Sequence, residues 1–244
     1  MVCTHVFFVN RTPLTVECHL PNSPAVCSLV FYYGGGWMDD NRQRFWRFSE
    51  DLARAGVAVL LPQYRVWRLH HVTPSIGVED VLAGLHFAAE LCGEYAGGRK
   101  VYWGGASAGG HLVLCAALLS PFRQRAGGAP DGIVLFNPVC CTHSISPWVR
   151  AQCGMEFDFS GLCPLHDMQE AGPPILAMHG TADEIAPFQD LSAFAEKYGK
   201  LGGSCEVLPF EGRNHGFHHP DAGEEDYQET LHRTLQYLKE GAMT

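Results

Sequence analysis

Basic residues are scarce in this chain: 17 lysines and arginines stand against 26 aspartates and glutamates, a net charge of -9. Without a positive stripe to neutralise phosphates, neither a nucleic acid nor an anionic membrane surface is an expected partner. Long apolar runs are lacking as well, and the first eleven residues carry neither a basic n-region nor a sustained apolar h-region. The sequence therefore predicts a soluble, non-exported, cytoplasmic protein. The ten cysteines form no CxxC pair and repeat at no fixed spacing. That pattern argues against a zinc ribbon or a disulfide framework and reads them mainly as small buried thiols. The pairs His70-His71 and His218-His219 do not suggest a metal either, because adjacent side chains diverge on most backbones. No metal and no cofactor is expected. Asn10-Arg11-Thr12 has the form of a glycosylation sequon, but a non-exported chain would not meet the transferase.

What the chain does have is apolar mass. Of its 244 residues 46% are hydrophobic, enough for one substantial core but not for two, so residues 1–244 are expected to form a single domain. Runs rich in β-branched and aromatic residues alternate with longer helical patterns, the rhythm of an α/β fold with a mostly parallel sheet flanked by helices. Eight strands are predicted: an opening antiparallel hairpin at 6–9 and 14–19, then 28–33, 57–61, 100–104, 132–136, 175–179 and 205–208. Helices are predicted at 45–54, 76–91, 109–119, 187–198 and 224–238. The stretch 137–173, rich in Cys, Pro and Gly, is irregular and could form at most a small lid.

In such a sheet, reactive groups collect on the loops that leave the carboxyl ends of the strands. Gly105-Ala106-Ser107-Ala108-Gly109 joins the strand 100–104 to the apolar helix 109–119, which is the GxSxG nucleophile elbow in its required context. Small neighbours leave room for a tight turn that exposes the Ser107 hydroxyl. Tyr33-Gly34-Gly35-Gly36-Trp37 ends another strand, and its three glycines let backbone approach a substrate oxygen without side-chain collision. The N–H groups of Gly35, Gly36 and Ala108 are the predicted oxyanion donors.

A serine hydroxyl needs a base, and thirteen histidines compete for that role. His215, in Asn214-His215-Gly216-Phe217, follows the last strand on the same rim as Ser107. His218 and His219 lack its small neighbour, and His111, on the helix after the elbow, is read as structural. The carboxylate that orients the base is expected to be Asp183, in His179-Gly180-Thr181-Ala182-Asp183, with Glu184 and Asp190 as alternatives. The chain order is then Ser, Asp, His.

With these motifs the chain resembles the hormone-sensitive-lipase-like group of α/β-hydrolases, whose members carry HGGGW, GxSxG, a late HGxxD and a late HGF. Through Gln63-Tyr64-Arg65-Val66 and Val134-Leu135-Phe136-Asn137-Pro138 it further resembles the small microbial acetyl esterases related to bifunctional feruloyl and acetyl-xylan esterases. The resemblance implies the α/β-hydrolase fold and a serine esterase that cleaves short acyl, above all acetyl, esters of small molecules. The long N-terminal cap of larger relatives is missing, which implies an open pocket lined in part by Trp37 and the stretch 137–173. Tyr33 stands where the motif has histidine, so support for the glycine loop must come from elsewhere. Arg65, Trp67 and Arg68 are candidates for substrate contact, but a stacked, solvated surface loop is the expected account. An arylformamidase, a prolyl-oligopeptidase-like peptidase and a ligand-binding module on a hydrolase fold are the alternatives.

Overall fold

The apolar runs assemble into one eight-stranded sheet in the computed structural model, which describes residues 1–145 and 157–243. The strands are β1 (Val2–Val9), β2 (Thr12–His19), β3 (Cys27–Tyr32), β4 (Val57–Pro62), β5 (Val101–Ala106), β6 (Gly132–Phe136), β7 (Ile175–Gly180) and β8 (Cys205–Phe210). Their spatial order is β1-β2-β4-β3-β5-β6-β7-β8. β1 and β2 pair antiparallel, as do β2 and β4, and all remaining pairs are parallel. Every residue of β3, β4, β6 and β7 is buried. That explains their unbroken apolar runs, since parallel strands covered on both faces have no solvent side to mark with polar residues.

The opening hairpin turns on Asn10 and Arg11, both at positive φ (47° and 69°), with Val9 paired to Thr12. This is the two-residue geometry whose twist suits a hairpin. β1 begins at Val2 rather than at 6, because Thr4 and His5 break the apolar pattern on an edge strand that tolerates exposed residues. β5 continues past 104 to Ala106: Gly105 and Ala106 have little strand propensity of their own, but they pair with Leu135 and Phe136 of β6.

The helices among the described residues are α1 (Trp46–Arg54), α2 (Trp67–His70), α3 (Pro74–Ala96), α4 (Ala108–Leu118), α5 (Phe122–Arg125), α6 (Pro164–Asp167), α7 (Phe188–Lys200) and α8 (Glu224–Met243). α3 opens with Pro74 in its first turn and stops at Gly97, whose φ of 60° terminates the helix. α4 is buried along its whole length, which accounts for its apolar character all round. None of the described helices is long and apolar enough to cross a membrane. Residues 146–156 of the predicted lid lie outside the described residues. Its later part is packed down: Leu162 and Cys163 are buried, and the Leu165 N–H donates to the Cys140 carbonyl at 2.8 Å.

Candidate active site

The chain steps from β3 outward to β4, then crosses back to β5 on the other side of β3. The loops after β3 and β5 therefore diverge from adjacent strands and leave a crevice at the carboxyl rim, where open α/β sheets bind ligands. Ser107 sits in that crevice at φ 49° and ψ -119°, between β5 and α4. For a non-glycine residue this backbone is strained, and its neighbours show how tightly the turn is drawn. A Cβ on Gly109 would lie 2.2 Å from the Tyr32 carbonyl oxygen, and one on Gly105 would lie 2.6 Å from the Gly109 carbonyl carbon. Only glycine fits either position. The Ser107 N–H donates to the Phe136 carbonyl at 2.9 Å, which fixes the elbow to the end of β6.

His215, on the loop between β8 and α8, brings Nε2 to 2.8 Å from the Ser107 hydroxyl oxygen and Nδ1 to 2.7 Å from Asp183 Oδ2. Nδ1–H then donates to the carboxylate, and Nε2 is left to accept from the serine hydroxyl. Asp183 is buried at the end of β7. Its Oδ1 accepts the N–H groups of Ile185 and Ala186 at 2.9 and 3.0 Å, and Oδ2 also faces His179 Nε2 at 3.0 Å. Burial pushes its carboxyl pKa up, but the hydrogen bonds from His179 and His215, His215's charge when protonated and the Ala186 N–H outweigh it and hold the group well below the usual carboxylate range. Gly180 lets the two loops meet, since a Cβ there would stand 2.2 Å from the Arg213 carbonyl oxygen.

The rival histidines are differently engaged. His218 is buried between Phe45 and Phe136, its ring nitrogens without hydrogen-bond partners among the described residues, and burial holds its pKa well below the ordinary value. His219 is pushed down to about 4, chiefly by burial. These two rings do not diverge as expected; their centroids are 4.1 Å apart. His111 is structural, as read: its Nε2 donates to the Leu162 carbonyl at 2.7 Å, and its Nδ1 accepts the Trp37 indole N–H at 3.3 Å.

That indole corrects one expectation. Trp37 is buried against His111 and Phe159 and is not among the described residues that wall the pocket over Ser107. The pocket over Ser107 has a volume of about 410 Å³ and is walled by Gly34, Gly35, Gly36, Met38, Phe45, Asn137, Ile185, His215 and His219, among others. A Cβ on Gly34 would come within 3.1 Å of the Ser107 Cβ, which shows how closely the glycine loop approaches the serine. Ala108 opens α4 directly behind Ser107.

Tyr33, in the place of the motif histidine, is engaged with Tyr64. The Tyr33 hydroxyl donates to the Tyr64 carbonyl, the Tyr64 hydroxyl donates to the Tyr33 carbonyl, each at 3.1 Å, and the rings stack at 4.5 Å. This reciprocal pair ties the residue before the three glycines to the chain just past β4. Arg65 beside it is not solvated: it grips the fully buried Asp80 through Nε and Nη2, at 2.9 and 2.6 Å. Arg68 is exposed, paired with Asp39.

Two residues escaped the sequence reading. Asn137, at the end of β6 with φ 37°, sets its Nδ2 2.9 Å from His215 Nε2 and 3.2 Å from Nδ1. His179 braces Asp183 from the strand side. An Asn-Pro pair closing an apolar strand is the signal that could have marked the first. Two groups of side chains come within metal-chelating distance among the described residues, contrary to the expectation from cysteine spacing: Cys141, His143, Cys163 and His166, and Cys3, His5 and Cys18.

An eight-stranded, mostly parallel sheet with a strained elbow after its fifth strand is the α/β-hydrolase architecture. The family model of the prolyl oligopeptidase family matches residues 68–241, and the chain belongs to that family. It is 26% identical over 243 residues to a probable isoprenylcysteine alpha-carbonyl methylesterase of Oryza sativa subsp. japonica, covering 88% of this chain and 58% of that protein. It is 32% identical over 124 residues to an acetylxylan esterase of Xylanibacter ruminicola, covering 50% of this chain and 24% of that one. The chain spans about half the length of the curated relatives it matches. Among solved structures it resembles esterase 2 of Thermogutta terrifontis, both phosphoramylated by tabun (28% identity, TM-score 0.84) and with propionate bound (29%, TM-score 0.82). Each comparison covers 98% of this chain and 94% of that one.

Proposed function

We propose that the chain is a serine carboxylic-ester hydrolase for short acyl, above all acetyl, esters of small molecules. The observation that carries this reading is the unbroken hydrogen-bonded line from the Ser107 hydroxyl through both nitrogens of His215 to Asp183. In the proposed mechanism His215 Nε2 takes the hydroxyl proton as Ser107 Oγ attacks the ester carbonyl. The imidazolium formed is stabilised by Asp183, whose lowered pKa keeps it ionised in the buried site. The N–H groups of Gly35, Gly36 and Ala108 stabilise the tetrahedral oxyanion. The imidazolium next protonates the departing alcohol, and a water activated by the same nitrogen hydrolyses the acyl-enzyme. The modest pocket and the propionate held by the Thermogutta relative support a short acyl group.

A second reading, peptide bond hydrolysis, is favoured by the family to which the chain belongs. A panel of p-nitrophenyl esters of increasing acyl length, beside N-formyl and dipeptide amide substrates, separates the two. Acetate and propionate esters are expected to turn over fastest; a preference for the amides would sink the ester assignment. Ser107→Ala is expected to lower kcat by about four orders of magnitude or more while leaving the thermal midpoint near wild type.

A further inference from the structure

Cys141 and His143 lie on the stretch that leaves β6, and Cys163 and His166 lie at the start of α6. One ligand atom from each, two sulfurs and two imidazole nitrogens, falls within 4.8 Å of every other. The two sulfurs are 3.9 Å apart. Around a tetrahedral zinc with zinc–sulfur bonds of about 2.3 Å, two thiolates stand about 3.8 Å apart, so this spacing is already that of two ligands on one ion. It is nearly twice the disulfide length of about 2.05 Å. The cysteines are buried and the histidines exposed, with their rings stacked at 4.8 Å and 16°. Sulfur ligands thus close the inner side of the cage and imidazoles the outer.

The surrounding backbone holds the two halves in register. The Leu165 N–H donates to the Cys140 carbonyl at 2.8 Å, and the Cys163 N–H donates to Asp167 Oδ2 at 2.7 Å. The Lys197 ammonium ties the carbonyls of Leu165 and His166 to α7 at 2.9 and 3.0 Å. The second group is weaker by comparison: it offers three ligands, and His5 Nε2 is already bonded to the Tyr95 hydroxyl at 2.7 Å.

We infer that Cys141, His143, Cys163 and His166 form a structural zinc site that clasps the stretch after β6 to the start of α6. Two thiolates with two imidazoles suit zinc by ligand type, and four protein ligands leave no position for substrate or reactive water. On binding, each thiol gives up its proton to solvent and the histidines coordinate in their neutral form, so one Zn²⁺ and two thiolates make an uncharged centre.

The test uses the whole chain, purified under reductant from zinc-supplemented culture. About one zinc per chain is expected, with an X-ray absorption shell of two sulfurs near about 2.3 Å and two nitrogens near about 2.0 Å. Chelator-stripped protein is expected to regain its thermal midpoint on addition of one equivalent of Zn²⁺. The double variant His143→Ala, His166→Ala changes only exposed side chains and spares the packing; its zinc affinity is expected to fall more than about tenfold, with the thermal response lost. Reduced protein that takes up no zinc overturns the inference. So does zinc that survives in the double variant and is lost in Cys3→Ser.

Discussion

Asn137 does two things with one side chain. Its backbone turns through φ 37°, which asparagine tolerates better than most residues, and its amide rests against the imidazole of His215. The two roles separate by substitution. Asn137→Gly keeps the backbone free and removes the amide, so kcat for an acetyl ester is expected to fall about tenfold, with stability lowered by about 1–2 kcal/mol through the buried side chain's lost contacts. Asn137→Ala is expected to lose the same activity and about 1–2 kcal/mol more stability than Asn137→Gly. Full turnover in Asn137→Gly, measured beside a urea titration, would reduce the residue to a backbone turn. His111 sets a different dependence. Burial pushes its pKa down to about 4, below the ordinary 6.5, so the folded chain refuses a proton that the unfolded chain accepts between those values. Stability contributed by the neutral ring is complete above about pH 6.5 and declines as pH falls toward 4, by about 3 kcal/mol in all. Urea midpoints are expected to drop over that window and to drop less in His111→Gln. Asp183 adds its own loss only at lower pH, because its folded-state pKa lies beneath the unfolded carboxyl value.

At the scale of the elements, the elbow depends on how closely α4 approaches β3. Gly109 faces the carbonyls of Tyr32 and Tyr33, at 2.2 and 2.4 Å from a hypothetical Cβ, and backbone cannot yield as a flexible side chain can. Gly109→Ala is expected to cost more than about 3 kcal/mol, read as a lowered thermal midpoint or insoluble protein. Gly110→Ala, whose nearest contacts are 3.1 Å away, is expected to be milder. The elbow was legible because sterics write it into a short stretch: glycine, small residue, serine, small residue, glycine between a strand and a helix. The strands were legible for the same kind of reason, since burial on both faces selects continuous apolar runs. What lay beyond reading were contacts between elements. Asn137 meets His215, and Tyr33 meets Tyr64, only because parallel strands set their carboxyl ends side by side. Trp37 read as a pocket wall through the resemblance, whereas at φ 62° the residue packs its indole onto His111. Cys141 and His143 stand two apart and Cys163 and His166 three apart, a pairing that a search for CxxC passes over, and only the fold brings the two pairs together.

At the scale of the whole molecule, the sheet ends on one side in β1, which pairs with β2 alone. Val2, Val6 and Phe8 on that strand are each more than half exposed. An apolar edge strand invites association between copies, and a charge on it opposes this. Phe8→Lys is expected to raise the concentration at which light scattering first reports association, and to leave ester turnover unchanged.

His215 follows β8, an edge strand that pairs with β7. Ser107 precedes His215 by 108 residues, so under the proposed mechanism a growing chain carries its nucleophile long before its base. Under the proposed mechanism, competence is expected only once β8 has paired with β7 and brought the imidazole to the elbow. A copy ending before His215 is then expected to be inert toward esters, and the return of turnover during refolding to report the docking of β8.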